Sequence, residues 1–269
     1  MGGLPGNLPV QRVQVQRWRD GYLATTLDSV AEETPVALFY NSVAHVVMLA
    51  TPENLADLAV GFSLSESLVQ DMSEIREVSV AENERGFDVS IAISQPRFAA
   101  LLQRRRNLTG RTGCGVCGAE TIEAAIREPA SVAPGGALLR LVLHDVLRTL
   151  SASQPLNAQT GSLHAAAWVK WDGAIICTRE DVGRHNALDK VLGSLAGTGA
   201  DLSTGFALVT SRASYELVQK CATLGIRMLV AVSAPTALAI RLAQQTGMTL
   251  IGFARDTQLV VYSHAERLL

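Results

Sequence analysis

The apolar positions of this chain fall into two rhythms. Residues 35–40 and 43–49 form short apolar runs broken at Asn41-Ser42, which predicts two strands and a turn. Leu55, Leu58 and Phe62 then recur at helical spacing behind Thr51-Pro52-Glu53. Thr51 reads as the cap of that helix and Pro52 as its first residue, where a missing N–H is harmless. Residues 74–80 and 87–94 repeat the strand pattern around Glu84-Arg85-Gly86. A helix is expected over 96–106, ending in Arg104-Arg105-Arg106. The glycine-rich segment 110–118 interrupts it, and another helix begins over 119–127. A Gly/Pro-rich start precedes these elements.

The C-terminal half is more regular. Residues 165–171 and 174–178 flank Asp172-Gly173, a pair that favours the type I′ turn of a tight hairpin. Residues 186–193 are helical in spacing. Strand-like runs at 206–210, 227–232 and 248–253 alternate with helical stretches at 213–224 and 235–245, and Gly225 and Gly247 stand where helix C-caps belong. Strands separated in this way need right-handed crossovers, so a partly parallel sheet follows. A last strand is expected over 258–263. The expected fold class is α/β: a smaller N-terminal α+β domain (10–108), a Gly-rich Cys-x-x-Cys loop (109–118) and a C-terminal α/β domain (119–269).

Composition narrows the function classes. At 269 residues the chain exceeds one typical domain without requiring two large ones. Its 48% hydrophobic and 18% charged residues describe a packed chain rather than a disordered one. A formal net charge of −2 supplies no global basic field, so neither nucleic acid nor an anionic membrane is an expected partner. Residues 1–20 carry Arg12, Arg17 and Arg19 but no apolar signal segment. The apolar run 229–240 is broken by Ser233 and Pro235 and is too short to span a bilayer. A cytoplasmic location is expected, where thiols are kept reduced.

Of the four cysteines, Cys114 and Cys117 alone lie close together, in Gly113-Cys114-Gly115-Val116-Cys117-Gly118. The glycines free the backbone to expose the sulfurs. A helix starting just after Cys117, with Arg111 and the Arg104–Arg106 cluster, would favour a thiolate. Three uses stay open. A disulfide oxidoreductase wants its Cys-x-x-Cys after a thioredoxin-type first strand, and no such context precedes Cys114. Zinc needs four ligands, so a second chain or a distant His would have to complete the site; no resident metal is expected. A persulfide carrier needs one nucleophilic cysteine and benefits from a neighbour that receives or releases sulfur. Cys177 and Cys221 fall within strand and helix patterns and read as small buried hydrophobes.

In open α/β sheets, ligands lie beyond the carboxyl ends of the strands. Those ends here read Arg179-Glu180-Asp181-Val182-Gly183-Arg184-His185-Asn186, then Ser211-Arg212, Ser233 and Arg255. Converging cations, hydroxyls and helix N-termini suit phosphate or pyrophosphate, although surface arginines and ordinary caps would leave the same pattern. His185, beside Asp181 at a loop-to-helix junction, suits proton transfer or a structural hydrogen bond. His164 could line the same cleft. His45, His144 and His264 read as structural.

With these residues laid out, the chain resembles the formate dehydrogenase accessory sulfurtransferase family, FdhD. The matching segments are 32–37, 50–53, 61–66, 112–118, 160–167, 179–190, 211–220, 231–237 and 252–255, in order from about residue 30 to the end. The resemblance implies a carrier that takes persulfide sulfur from a cysteine desulfurase. It would pass this sulfur to the molybdenum (or tungsten) bis-guanine-dinucleotide cofactor before that cofactor enters formate dehydrogenase. It also implies a homodimer. On that pattern Cys114 bears the persulfide and Cys117 relays it. The family's cofactor-binding stretch falls on Phe253, Ala254, Arg255, Asp256, Thr257 and Gln258, where relatives often carry a basic residue at the last position. Arg184, His185, Ser211 and Arg212 would join it from the other strand ends. A zinc-bridged cofactor chaperone that moves no sulfur is the alternative.

The family's C-terminal half also resembles the cytidine-deaminase fold. The Arg184-His185-Asn186 turn falls where deaminases begin their first zinc-binding helix. Ala187 stands where they need an acid–base Glu, and Ser211-Arg212-Ala213 where they carry a cysteine pair. The resemblance therefore implies a deaminase scaffold without deamination, reused for guanine-nucleotide binding.

Overall fold

The structure, a computed structural model, describes residues 8–109, 129–255 and 258–269. It opens on an element the apolar pattern misses. Strands β1 (Val10–Arg19) and β2 (Tyr22–Ala31) pair antiparallel along their whole length as a separate two-stranded sheet. Asp20 and Gly21 both take positive φ (51° and 84°), as a tight hairpin turn requires. Most of the hairpin's side chains are exposed, Trp18 and Tyr22 among them, so the strands lack the alternation imposed by a core.

A four-stranded sheet follows, in the order β4-β3-β6-β5. Its strands are β3 (Thr34–Tyr40), β4 (Val43–Ala50), β5 (Ile75–Asn83) and β6 (Gly86–Ile93). The expected turn at Asn41-Ser42 is present, both residues with positive φ. Along β3, Val36, Leu38 and Tyr40 are buried while the alternate residues are less so, which is the period of a half-covered strand. The cover is helix α1 (Leu55–Ser65), through Leu55, Leu58 and Leu64. This helix starts three residues later than the Thr51-Pro52 signal implies. Its N-cap is Asn54, in the left-handed region at φ 56°, and Thr51 is free for a different use described below. Helix α2 (Gln95–Thr109) matches the expected one.

The larger sheet is mixed, with order β12-β11-β10-β9-β7-β8. Its strands are β7 (His164–Lys170), β8 (Ile175–Asp181), β9 (Gly205–Val209), β10 (Met228–Ala231), β11 (Thr249–Arg255) and β12 (Gln258–Ser263). Strands β9, β10 and β11 run parallel; β7 runs against β9, and β8 and β12 pair antiparallel at the two edges. The β7–β8 connection is not the type I′ turn expected. Gly173 alone of the Asp172-Gly173 pair has positive φ, and its N–H donates to Lys170 O across a turn centred on Trp171 and Asp172. The Asp172 carboxylate instead accepts from Ala174 N (3.0 Å), and the ladder shifts register at Val169. A turn ending in a left-handed glycine gives this wider loop.

Helices α3 (Arg140–Thr149) and α4 (Pro155–Thr160) precede the sheet, and α5 (Arg184–Thr198), α6 (Tyr215–Thr223) and α7 (Ala237–Thr246) connect its strands. One face packs on Leu188, Val191, Leu217, Val218 and Leu242. The other packs on Leu143 and Val146. Covered on both sides, β9 and β10 read as unbroken apolar runs. Among the described residues, no helix is long and apolar enough to cross a membrane.

The two larger sheets meet where α1 crosses α5. A Cβ on Gly61 would lie 1.8 Å from Asp189 O, and one on Gly193 would lie 1.9 Å from Asp57 O. Backbone therefore touches backbone at this crossing. Polar anchors flank it: Arg179 donates twice to Asp57 (2.9 and 2.8 Å). The buried Lys220 ammonium reaches Ser65, Glu66 and Asp189, each at 2.9 Å. Burial opposes the charge on Lys220, but Asp189 and Glu66 outweigh it and raise its pKa above the ordinary lysine value.

Candidate binding site at the strand ends

Strand direction decides what gathers at this edge. Because β8 runs the same way as β9, β10 and β11, the ends of all four open on one side of the sheet, and so does the start of β7. His164, the turn 182–185, Arg212, Ser233 and Arg255 are thereby brought to one edge. At about 4.8 Å per strand spacing, β8 and β11 lie about 19 Å apart along it. Cys114, Cys117, Asp256 and Thr257 lie outside the described residues.

The edge is built on the two buried carboxylates that end β8. Glu180 accepts from Leu156 N (2.9 Å) and Asn157 N (2.7 Å), free N–H groups at the start of α4. Asp181 accepts from Lys190 Nζ (2.6 Å), Gly183 N (2.8 Å), Asn186 Nδ2 (3.0 Å) and Thr51 N (3.1 Å). The Thr51 hydroxyl accepts from Val182 N (3.1 Å), and Lys190 donates to Thr51 O (3.0 Å). Thr51 is thus a clamp between the end of β4 and the turn that launches α5, and not a helix cap. Burial pulls the Lys190 ammonium below its ordinary pKa, with Asp181 opposing. Reading the sequence for chemistry passes over Thr51 and Lys190. The available signal was a lysine amid the apolar spacing of a helix, which demands a buried partner.

From this clamp the first turn of α5 presents Arg184 and His185, two residues earlier than the helix was expected to begin. The structure corrects the partner of His185. Its Nε2 lies 2.6 Å from Glu216 Oε2 and 3.2 Å from Ser214 Oγ, while Asp181 is saturated by other donors. The hydrogen bond from His185 holds the Glu216 carboxyl below the usual carboxylate range. His164 stands opposite Asp181 in the β7–β8 ladder and is half-buried. Burial first, then Arg184, His185 and Arg212, push its pKa below the ordinary histidine value, with Asp181 opposing. Arg184 Nε is buried with no hydrogen-bond partner, an arrangement that an incoming anion would satisfy.

The remaining expected residues divide. Arg212 is exposed, whereas Ser211 is buried and its hydroxyl bonds to Arg212 O (3.0 Å), so Ser211 already has an acceptor within the chain. Phe253 takes a positive φ of 49° and its N–H donates to Ser233 O (3.1 Å), while its ring is partly exposed. A non-glycine residue held there at the end of β11 is strained, and such strain concentrates at functional sites. Ala254 is fully buried; Arg255 and Gln258 are exposed and pair across the β11–β12 connection. Ala187, the position of the missing deaminase Glu, is buried in the core. Cys221 is buried too, which pushes its thiol up to about 12, and partly buried Cys177 packs against the same core. His264 is held by Glu266 and Gln244 O.

Comparison with known proteins identifies the family. The sequence model of the FdhD/NarQ family matches residues 31–269, everything after the β1–β2 hairpin. A sulfur carrier protein FdhD from Cupriavidus necator is 51% identical over 254 residues, covering 94% of this chain and 88% of its own. One from Xanthomonas euvesicatoria pv. vesicatoria is 54% identical over 254 residues, covering 94% and 90%. The crystal structure of a Desulfotalea psychrophila protein assigned as a formate dehydrogenase accessory protein superposes with a TM-score of 0.79 at 26% identity, over 97% of this chain and 99% of that one. The chain belongs to the FdhD/NarQ family.

Proposed function

We propose that this chain is a sulfur carrier for formate dehydrogenase maturation. It accepts persulfide sulfur from a cysteine desulfurase and transfers it to the molybdenum (or tungsten) bis-guanine-dinucleotide cofactor, its substrate, before insertion into formate dehydrogenase. The observation that carries this reading is likeness along almost the whole chain to proteins named as sulfur carriers. Cys114 is the persulfide-bearing residue and Cys117 its relay. The strand-end edge holds the nucleotide: Arg184, Arg212 and Arg255 are spread along it to neutralise phosphates, and Phe253 offers a partly exposed ring two residues from Arg255.

The strand order β8-β7-β9-β10-β11, a hairpin followed by parallel strands, supports a cytidine-deaminase-like C-terminal domain over 119–269. The N-terminal domain is the part over 10–108; the Cys-x-x-Cys segment proposed between the two, 109–118, lies from residue 110 outside the described residues. The protein acts as a cytoplasmic homodimer.

Incubation with a desulfurase and cysteine is expected to leave a persulfide on the native protein, and Cys114→Ala should abolish it by mass spectrometry together with activation of formate dehydrogenase. A persulfide at full yield in the variant would remove Cys114 from its role. For the nucleotide edge, Arg255→Ala should weaken GDP binding about tenfold or more, the loss of one charge-assisted contact of about 1.5–3 kcal/mol. Unchanged GDP affinity by calorimetry would dismiss the edge near Arg255.

A further inference from the structure

Among the described residues, the imidazole of His164 makes no hydrogen bond or ion pair, although Arg184 and Arg212 come to the same edge. His164 pairs with Asp181 across the β7–β8 ladder, whose end launches Arg184 and His185, and Thr210 at the end of β9 bonds to Ala165 on both sides, which brings Arg212 to the same edge. The Asp181 carboxylate does little to offset those cations, because Lys190 and its other donors already neutralise it. His185 differs, since its Nε2 already contacts Glu216 Oε2 (2.6 Å) and Ser214 Oγ (3.2 Å). His164 is therefore the one histidine of the pair whose charge lacks local support, beside an Arg184 guanidinium with a buried N–H still seeking an acceptor.

We infer that His164 binds a proton together with the phosphate of the nucleotide, so that this edge takes up its ligand and a solvent proton as a linked pair. This rests on the reading of the edge as a nucleotide site and adds its regulation. The physical reason is a reversal of sign. Before binding, burial first and then the neighbouring cations disfavour imidazolium and hold the pKa of His164 below the ordinary histidine value. A phosphate carries negative charge into the same space, and imidazolium then becomes its partner. A proton taken up on binding makes affinity rise as pH falls through the histidine range, about tenfold for each unit by which the ligand raises the histidine's pKa. The neutral state also spares the free site a further cation beside Arg184 and Arg212.

Two measurements on the full chain test this. GDP affinity is followed between about pH 6 and about pH 8, either side of the ordinary histidine pKa, for the native protein and for His164→Gln. The variant reports the ionisation of GDP itself, so the ratio of the two profiles isolates His164. That ratio is expected to change about tenfold across the range. In parallel, the imidazole resonances of the five histidines are titrated by NMR with and without GDP, and that of His164 should titrate at higher pH once GDP is bound. The native-protein resonance decides the matter even if the variant fails to fold.

If GDP binds while the His164 titration stays in place and the two profiles run parallel, the inference is overturned and the nucleotide site survives. If GDP does not bind, the nucleotide reading fails, and sulfate, a guanine-free anion that does not ionise in this range, becomes the probe. A His164 titration raised by sulfate keeps proton uptake as a property of an anion site. An unmoved one overturns it as well.

Discussion

Lys190→Met is expected to lower stability by about 3–5 kcal/mol, because it leaves the buried Asp181 carboxylate without its cation. Lys190 and Asp181 are both fully buried, 2.6 Å apart, and Thr51 O also accepts from the ammonium. Methionine fills a similar volume, so lost packing contributes little and lost charge compensation dominates. The pH dependence identifies the cause. In the variant the Asp181 carboxyl is a buried anion without a counter-ion, so its folded-state pKa lies above its unfolded value. Stability from a raised pKa is fully present below the unfolded value and is lost as pH rises through the folded one. The deficit against the native protein should therefore be largest near neutrality and shrink in acid. Urea unfolding near pH 7 and near pH 5 measures it, and an equal deficit at both would mean that some other group was uncovered. GDP affinity should fall too, since the same carboxylate fixes Gly183 and the first turn of α5.

Gly61→Ala should be nearly as damaging, for a reason of space. Alanine is the better helix former by about 1 kcal/mol, so propensity alone favours the substitution. The new Cβ, however, would sit 1.8 Å from Asp189 O and 2.8 Å from Gly193 N, both backbone atoms that cannot rotate away. The helices must separate, which stretches the Ser65–Asp189 hydrogen bond (2.7 Å) that bridges the same crossing. Overpacking costs about 1–3 kcal/mol, and more where backbone meets backbone as here, which outweighs the gain in propensity. Gly197→Ala is the control. Gly197 lies in α5 with nothing within 4 Å of its added Cβ, so that change should stabilise by about 0.5–1 kcal/mol. The two substitutions are alike chemically and should move the urea midpoint in opposite directions. Two shifts of the same sign would refute the account of the α1–α5 crossing.

What could be read in advance follows the range of the interaction. The Asn41-Ser42 turn, the C-cap at Gly247 and the alternation of β9, β10 and β11 with helices are set by neighbouring residues or by a repeating apolar period. The β1–β2 hairpin escaped because both of its faces meet solvent, and no core imposes a period on it. Asp172-Gly173 shows the opposite case: the right residues for a tight turn, overridden by the register of the strands they join.

For the site, residue types were legible and partnerships were not. The sequence by itself determined the Cys-x-x-Cys motif, the cations and hydroxyls at the strand ends, and the resemblance that joins them to one family. Tertiary structure alone decided that Thr51 clamps Asp181 across 130 positions, that Lys190 completes the pair and that Glu216 rather than Asp181 holds His185. It also decided that His164 stands among cations with no hydrogen-bonded partner among the described residues. Side-chain chemistry belongs to a residue and can be read one position at a time. Charge compensation, desolvation and backbone contact belong to pairs, and folding chooses the pairs.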